Sequence, residues 1–112
     1  MKVLATTLLL FGLSAPIALS DTITPIANLK RGAMVTVQGT VEMITDEDKF
    51  RLTDSSGDIR VYVGPNWVPA DVGEVVIVNG RVDDDLIGPK ELHARSLRRA
   101  DGTVVEFDLS YE

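Results

Sequence analysis

The sequence predicts an all-β domain: five core strands closed into a small barrel, a short helix ahead of them and an extra hairpin strand at the C-terminus. Three observations carry this. Apolar and polar residues alternate through most of the chain after Gly32, turn residues interrupt the alternation at short intervals, and two of the strands contain a glycine where a barrel has to bend. A small sheet must hide its edges, and closure into a barrel hides them.

Thr24-Pro25 reads as an N-cap followed by proline at the first helical position, and Gly32 closes that segment after Lys30-Arg31. Ile26 and Leu29, with Ile23, form the apolar side of a helix of about two turns. In the first strand Val35, Val37, Val41 and Met43 alternate with Thr36, Gln38, Thr40 and Glu42, and Gly39 marks a bulge or sharp coil. Phe50 and Leu52 alternate with Lys49, Arg51 and Thr53 in the second. Asp54-Ser55-Ser56-Gly57 makes a turn into the third, where Ile59, Val61 and Val63 alternate with Asp58, Arg60 and Tyr62. Prolines 65 and 69 exclude a long helix between the third and fourth strands, and Trp67 between them is expected to plug one end of the barrel. An exposed tryptophan for saccharide stacking is the alternative. Residues 74–82 form the fourth strand around Gly80, with valines and Ile77 on both faces, so one outer patch is expected to be covered by the helix or a second chain. Residues 91–97 form the fifth, with Leu92 and Ala94 inward and His93 outward; Asp101-Gly102 then turns the chain towards Val104, Val105 and Phe107.

Composition bounds the function more than it names it. The chain has 112 residues and no cysteine, and its pI is near 4.7. Residues 1–20 read as a removable signal peptide: Lys2, an apolar run over residues 3–13 too short to span a bilayer, and Ala18-Leu19-Ser20 before the cut. A retained anchor is the competing reading. Residues 21–112 are then one mature domain with ten Lys and Arg against 17 Asp and Glu, a net charge of −7 over 92 residues. That balance argues against nucleic acid as a partner. Without cysteine there is no disulfide framework and no thiol chemistry.

The stretch Phe50-Arg51-Leu52-Thr53-Asp54-Ser55-Ser56-Gly57-Asp58-Ile59-Arg60-Val61 resembles the aromatic-x-apolar-x-Asp-x-Ser/Thr-Gly hairpin of the bacterial OB-fold (BOF) family. The preceding helix, Trp67 after the third strand and Gly80-Arg81-Val82-Asp83-Asp84-Asp85 are similar to that family as well. The similarity runs from about Ile23 to Leu97; residues 98–112 are a departure from it. The resemblance implies a five-stranded Greek-key OB-type barrel in the periplasm, with a non-enzymatic binding or protective role linked to stress tolerance.

OB barrels usually bind on the face of strands two and three, between the loops joining strands one–two and four–five. If residues 54–57 are the turn, Thr53 faces Asp58, Arg51 faces Arg60 and Lys49 faces Tyr62, all away from the core. Like charges opposed on a sheet are destabilising, so Arg51 and Arg60 are expected either to splay into solvent or to hold an anion. Around this floor the sequence predicts an acidic rim, Asp46-Glu47-Asp48 in one loop and Asp83-Asp84-Asp85 in the other. The candidate ligand-binding residues are Arg51, Arg60, Tyr62, Lys49, Asp46, Asp48, Asp83 and Asp85. A small cationic or amphoteric ligand, or a cell-wall fragment, suits them; plain solvated surface is the other reading. No metal site is assigned, because calcium-loop spacing is absent, and no cofactor is expected. No catalytic residue is assigned either: His93 is the one histidine and no nucleophile-elbow motif is present. His93 with Arg95, Arg98 and Arg99 forms a basic stripe expected to offset the acidic rim or the acidic tail, Glu106 and Asp108. An envelope protein engaged through the C-terminal hairpin is the alternative partner.

Overall fold

A computed structural model describes residues 22–107. The proposed signal peptide and Asp108 lie outside the described residues. Among the described residues six strands follow a short 3-10 turn at Ile26–Asn28: β1 (Met34–Asp46), β2 (Lys49–Asp54), β3 (Gly57–Tyr62), β4 (Val75–Val82), β5 (Glu91–Arg98) and β6 (Val104–Glu106). They lie in the order β3-β2-β1-β4-β5-β6, and a parallel pairing of β3 with β5 closes the first five into a barrel. None of the described helices is long and apolar enough to cross a membrane.

The alternation in β2, β3 and β5 places Phe50, Leu52, Ile59, Val61, Leu92 and Ala94 inside, as their spacing predicts. β1 spans two neighbours: residues 34–40 pair with β4 and residues 40–46 with β2. Gly39 sits just before this handover, where a Cβ would stand 2.5 Å from the Thr53 carbonyl oxygen. The irregularities in register come later, between Val41 and Met43 and between Ile44 and Asp46. The first reverses the alternation, so Met43, expected inside, is exposed. A third irregularity, in β5, leaves Arg95 as the extra residue between the partners of Asn79 and Gly80, which brings Leu97 rather than Ser96 into the core.

Three further expectations are corrected. The two-turn helix is one 3-10 turn: Pro25 rather than Thr24 occupies the cap, with no side-chain cap bond, and Leu29 is already extended. Its first N–H groups, which no helix satisfies internally, bond across to the β2–β3 turn, Ile26 N–H to the Asp54 carboxylate and Ala27 N–H to Ser56 Oγ. Trp67 is no plug. It is 75% exposed, while Val63 and Ala70 are buried and Val68 packs against the core in its place. The N-terminal segment does not cover Val75 on the outer face of β4, which is exposed in the single chain; residues 23 and 24 bond instead to Thr36 on β1.

The Asp101-Gly102 turn forms as predicted, with Gly102 at φ +94° and Thr103 N–H donating to the Asp101 carboxylate at 2.9 Å. Before it, the Arg99 guanidinium spans both Glu74 oxygens, at 3.0 and 2.8 Å, and reaches Asp71 at 3.4 Å. Arg99 is therefore paired with the β4 entrance rather than with the acidic rim or tail. Its hydrogen bonds, with those from the N–H groups of Asp71 and Ala100, pull the Glu74 carboxyl from the ordinary 4.5 down to about 2.

Two outcomes are expected. Gly80→Ala would set its Cβ 2.2 Å from the His93 carbonyl oxygen, backbone against backbone. Urea unfolding should show a loss of about 2 kcal/mol or more. Because Glu74 is more acidic when folded, its contribution is complete above pH 4.5 and is lost as pH falls from 4.5 towards 2. Melting temperature measured against pH should decline through that window, and less steeply in Glu74→Gln.

Candidate functional site

The β2–β3 hairpin fixes the candidate face, and one carboxylate fixes the hairpin. Asp54 Oδ1 accepts from Ser56 N–H at 2.7 Å, Ser56 Oγ–H at 2.6 Å and Gly57 N–H at 3.1 Å, while Oδ2 accepts from Ile26 N–H at 3.0 Å. Burial pushes this carboxyl up, but the bonds from Ser56, Ile26 and Gly57 outweigh it and hold the group below its ordinary value of 3.8. The resulting register is the one the sequence predicts: Thr53 faces Asp58, Arg51 faces Arg60 and Lys49 faces Tyr62.

The two arginines splay, each towards its own carboxylate. Arg51 Nη1 lies 3.1 Å from Asp58, and its Nε 3.8 Å from Glu42. Arg60 Nη1 lies 3.7 Å from Glu91, which also stands 3.9 Å from Lys49 Nζ and 3.1 Å from His93 Nε2. His93 is half-buried rather than turned freely to solvent, edge-on to the Tyr62 ring at 5.4 Å, and Lys49 Nζ is 5.7 Å from the same ring. Beside this floor a groove of about 370 Å³ is lined by Arg51, Arg60, Lys90 and Asp58 together with Ile26, Ala27, Gly57, Ile59 and Pro89. Lys90 Nζ also donates to the Leu29 carbonyl at 2.7 Å, which fixes the groove wall.

The model of the bacterial OB-fold family matches residues 10–99. The chain belongs to the bacterial OB-fold (BOF) family. Its fold is similar to the solved structure of the hypothetical protein ygiW from E. coli, with a TM-score of 0.60 and 24% identity over 72% of this chain and 92% of that one. A search of curated proteins found no match.

In this BOF barrel the structure brings together only part of the predicted site. Arg51 and Arg60 line the groove; Lys49 and Tyr62 lie further along the same face, beside Glu91 and His93. The acidic triplets do not rim the groove. Asp46-Glu47-Asp48 lies at the far end of the hairpin, where Glu47 and Asp48 line a second depression with Gly64, Pro65, Asn66 and Trp67. Asp83-Asp84-Asp85 is drawn to the N-terminal segment: Arg31 donates to the carbonyls of Asp85 and Gly88, and Gly32 approaches Asp84. Within these loops the Asp46, Asp83 and Asp85 carboxylates accept from the N–H groups of Glu47, Asp85 and Ile87. Among the described residues no group of three or more His, Asp and Glu side chains is placed to share a metal ion.

Sequence reasoning missed Glu91, the carboxylate on which Lys49, Arg60 and His93 converge, and Lys90 in the groove wall. Both stand at the start of β5, and only the β3–β5 pairing puts Glu91 beside Arg60. An acid opening a strand carries no local signal of its partner.

Asp54→Ala would leave three backbone N–H groups and the Ser56 hydroxyl without their acceptor. A loss of about 2–4 kcal/mol is expected in urea unfolding, and hydrogen exchange should show the Ile26 amide losing protection.

Proposed function

We propose that the chain is an exported, non-catalytic binding module of the bacterial envelope that takes a small amphoteric ligand, such as a cell-wall peptide fragment, in the groove beside Arg51 and Arg60. The observation that carries this reading is the composition of that groove. Three cations and one carboxylate stand over an apolar base of Ile26, Ile59 and Pro89, on the face that OB barrels commonly use. Arg51 is held by exposed ion pairs at 3.1 and 3.8 Å, which a ligand carboxylate can exchange at little cost, and Arg60 by a longer contact of 3.7 Å to the part-buried Glu91. An ammonium group of the same ligand would find Asp58. The leader-like first twenty residues support an exported module, and the link to stress tolerance rests on the family resemblance.

The net acidic charge speaks against single-stranded nucleic acid, since the cations of the face are already answered by carboxylates. The alternative partner, an envelope protein, is favoured by β6, which pairs with β5 among the described strands and leaves Val104 half exposed.

A ¹⁵N-labelled NMR titration with the cell-wall dipeptide D-γ-glutamyl-meso-diaminopimelate, which carries both carboxylates and ammonium groups, with calcium and with a short single-stranded DNA, each at physiological salt, tests the reading. Shifts with the dipeptide should centre on Arg51, Gly57, Arg60 and Lys90, and Arg51→Gln with Arg60→Gln should weaken binding roughly tenfold. Unchanged groove resonances with all three probes would overturn it, and binding by DNA with a steep salt dependence would replace it.

A further inference from the structure

The second depression, at the other end of the hairpin, shares no lining residue with the groove. It measures about 280 Å³ and is lined by Trp67, Glu47, Asp48 and the chain at Gly64, Pro65 and Asn66. Its walls are fixed by three bonds that do not use the acidic side chains. Val68 N–H donates to the Glu47 carbonyl at 3.0 Å, Val63 N–H donates to the Asp48 carbonyl at 3.0 Å, and Asn66 Nδ2 donates to the Val63 carbonyl at 2.6 Å. The two loops are thereby clamped together while both carboxylates stay available.

Two features separate this place from ordinary solvated surface. Val68 and Ala70 take the inward positions of the loop, so the largest side chain of the domain stands 75% exposed over a concave surface. The carboxylates are also unanswered. The cations Lys49, Arg51 and Arg60 of the adjoining face pair with Glu91, Asp58 and Glu42, and no described Lys, Arg or His comes within ion-pair distance of Glu47 or Asp48. An electron-rich indole and two acidic residues that pair with no described cation line one depression whose one side-chain amide already donates to Val63, so it presents acceptors and negative potential. An anion is repelled there, and a sugar would find few donors for its hydroxyl oxygens. The volume falls just below the range of about 300–1,000 Å³ typical of sites that enclose a drug-sized ligand, which suits a single head group.

We propose that Trp67, Glu47 and Asp48 form a binding site for an alkylammonium group, supplied either by a free diamine or by a lysine side chain of a peptide. The ammonium lies over the indole face and between the carboxylates, with the alkyl chain along Pro65. This site does not depend on the groove reading, and either can fail alone.

Trp67 is the one tryptophan of the chain, so its emission reports on the site directly. The full chain would be titrated with 1,5-diaminopentane and with Nα-acetyl-lysine methylamide at constant ionic strength, using N-acetylglucosamine as the neutral control. A saturable emission change with either amine is expected, weakened about three- to tenfold in Glu47→Gln with Asp48→Asn. Tighter binding of the diamine marks a free amine as the source, and tighter binding of the lysine derivative marks a peptide. In Trp67→Leu, amide shifts at Asp48, Gly64 and Asn66 should weaken in the same way, with the circular dichroism spectrum unchanged. A response to N-acetylglucosamine equal to that of the amines would overturn the proposal. So would a non-saturable response, or one indifferent to neutralising the two carboxylates.

Discussion

The closure of β3 onto β5 is a short parallel contact, Arg60 to Glu91, Val61 to Leu92 and Tyr62 to His93, and the rest of the domain is arranged around it. Open strand edges are the chief liability of a small sheet, and this contact removes two of them. It needs the strands to coil tightly, which in turn needs close backbone approaches at Gly39 and Gly80, where a side chain has no room. Bulges in β1 and β5 supply the remaining bend and decide which residues change face. The same contact creates the charge network of the β2–β3 face. Glu91 comes to lie beside Arg60 and Lys49, and what β2 and β3 alone would leave as a repulsive pair of arginines becomes a balanced surface.

Charge is distributed unevenly as a result. The cations of the β2–β3 face are matched by Glu42, Asp58 and Glu91, whereas Glu47 and Asp48 of the β1–β2 loop are not matched at all among the described residues. One end of the hairpin therefore offers replaceable ion pairs over an apolar base, and the other offers negative potential beside an exposed ring. Both features stand on rigid supports. The Asp54 carboxylate ties the N-terminal segment to the β2–β3 turn and builds a wall of the groove, while backbone bonds tie the Trp67 loop to the β1–β2 loop. Side chains held in this way keep little freedom to lose, which is the physical advantage of mounting them on a barrel.

Much of this is legible in the residues. Period-two alternation gives β2 and β3 their inside and outside faces, and the Asp54–Gly57 turn gives their register, so the pattern alone puts Arg51, Arg60, Lys49 and Tyr62 on one surface. The length of the first helix is not legible, because a proline and apolar spacing look the same whether the chain continues as helix or turns extended at Leu29. Trp67 is assigned inward by its size and hydrophobicity, which favour burial. The choice between Trp67 and Val68 as the inward residue depends instead on how the loop is clamped to Glu47.

By itself, the sequence determined an all-β chain, the strands and their turns, the glycines needed for bending and the family to which these features belong. Those are local properties, set by side-chain alternation and turn geometry over a few residues at a time. Tertiary structure alone decided that Glu91 meets Arg60, that Lys90 walls the groove, that the acidic triplets stand apart from it and that Trp67 remains outside. Each of those depends on bringing together strands or loops distant in the chain, and a charge or an aromatic ring carries no mark of the partner that closure will set beside it.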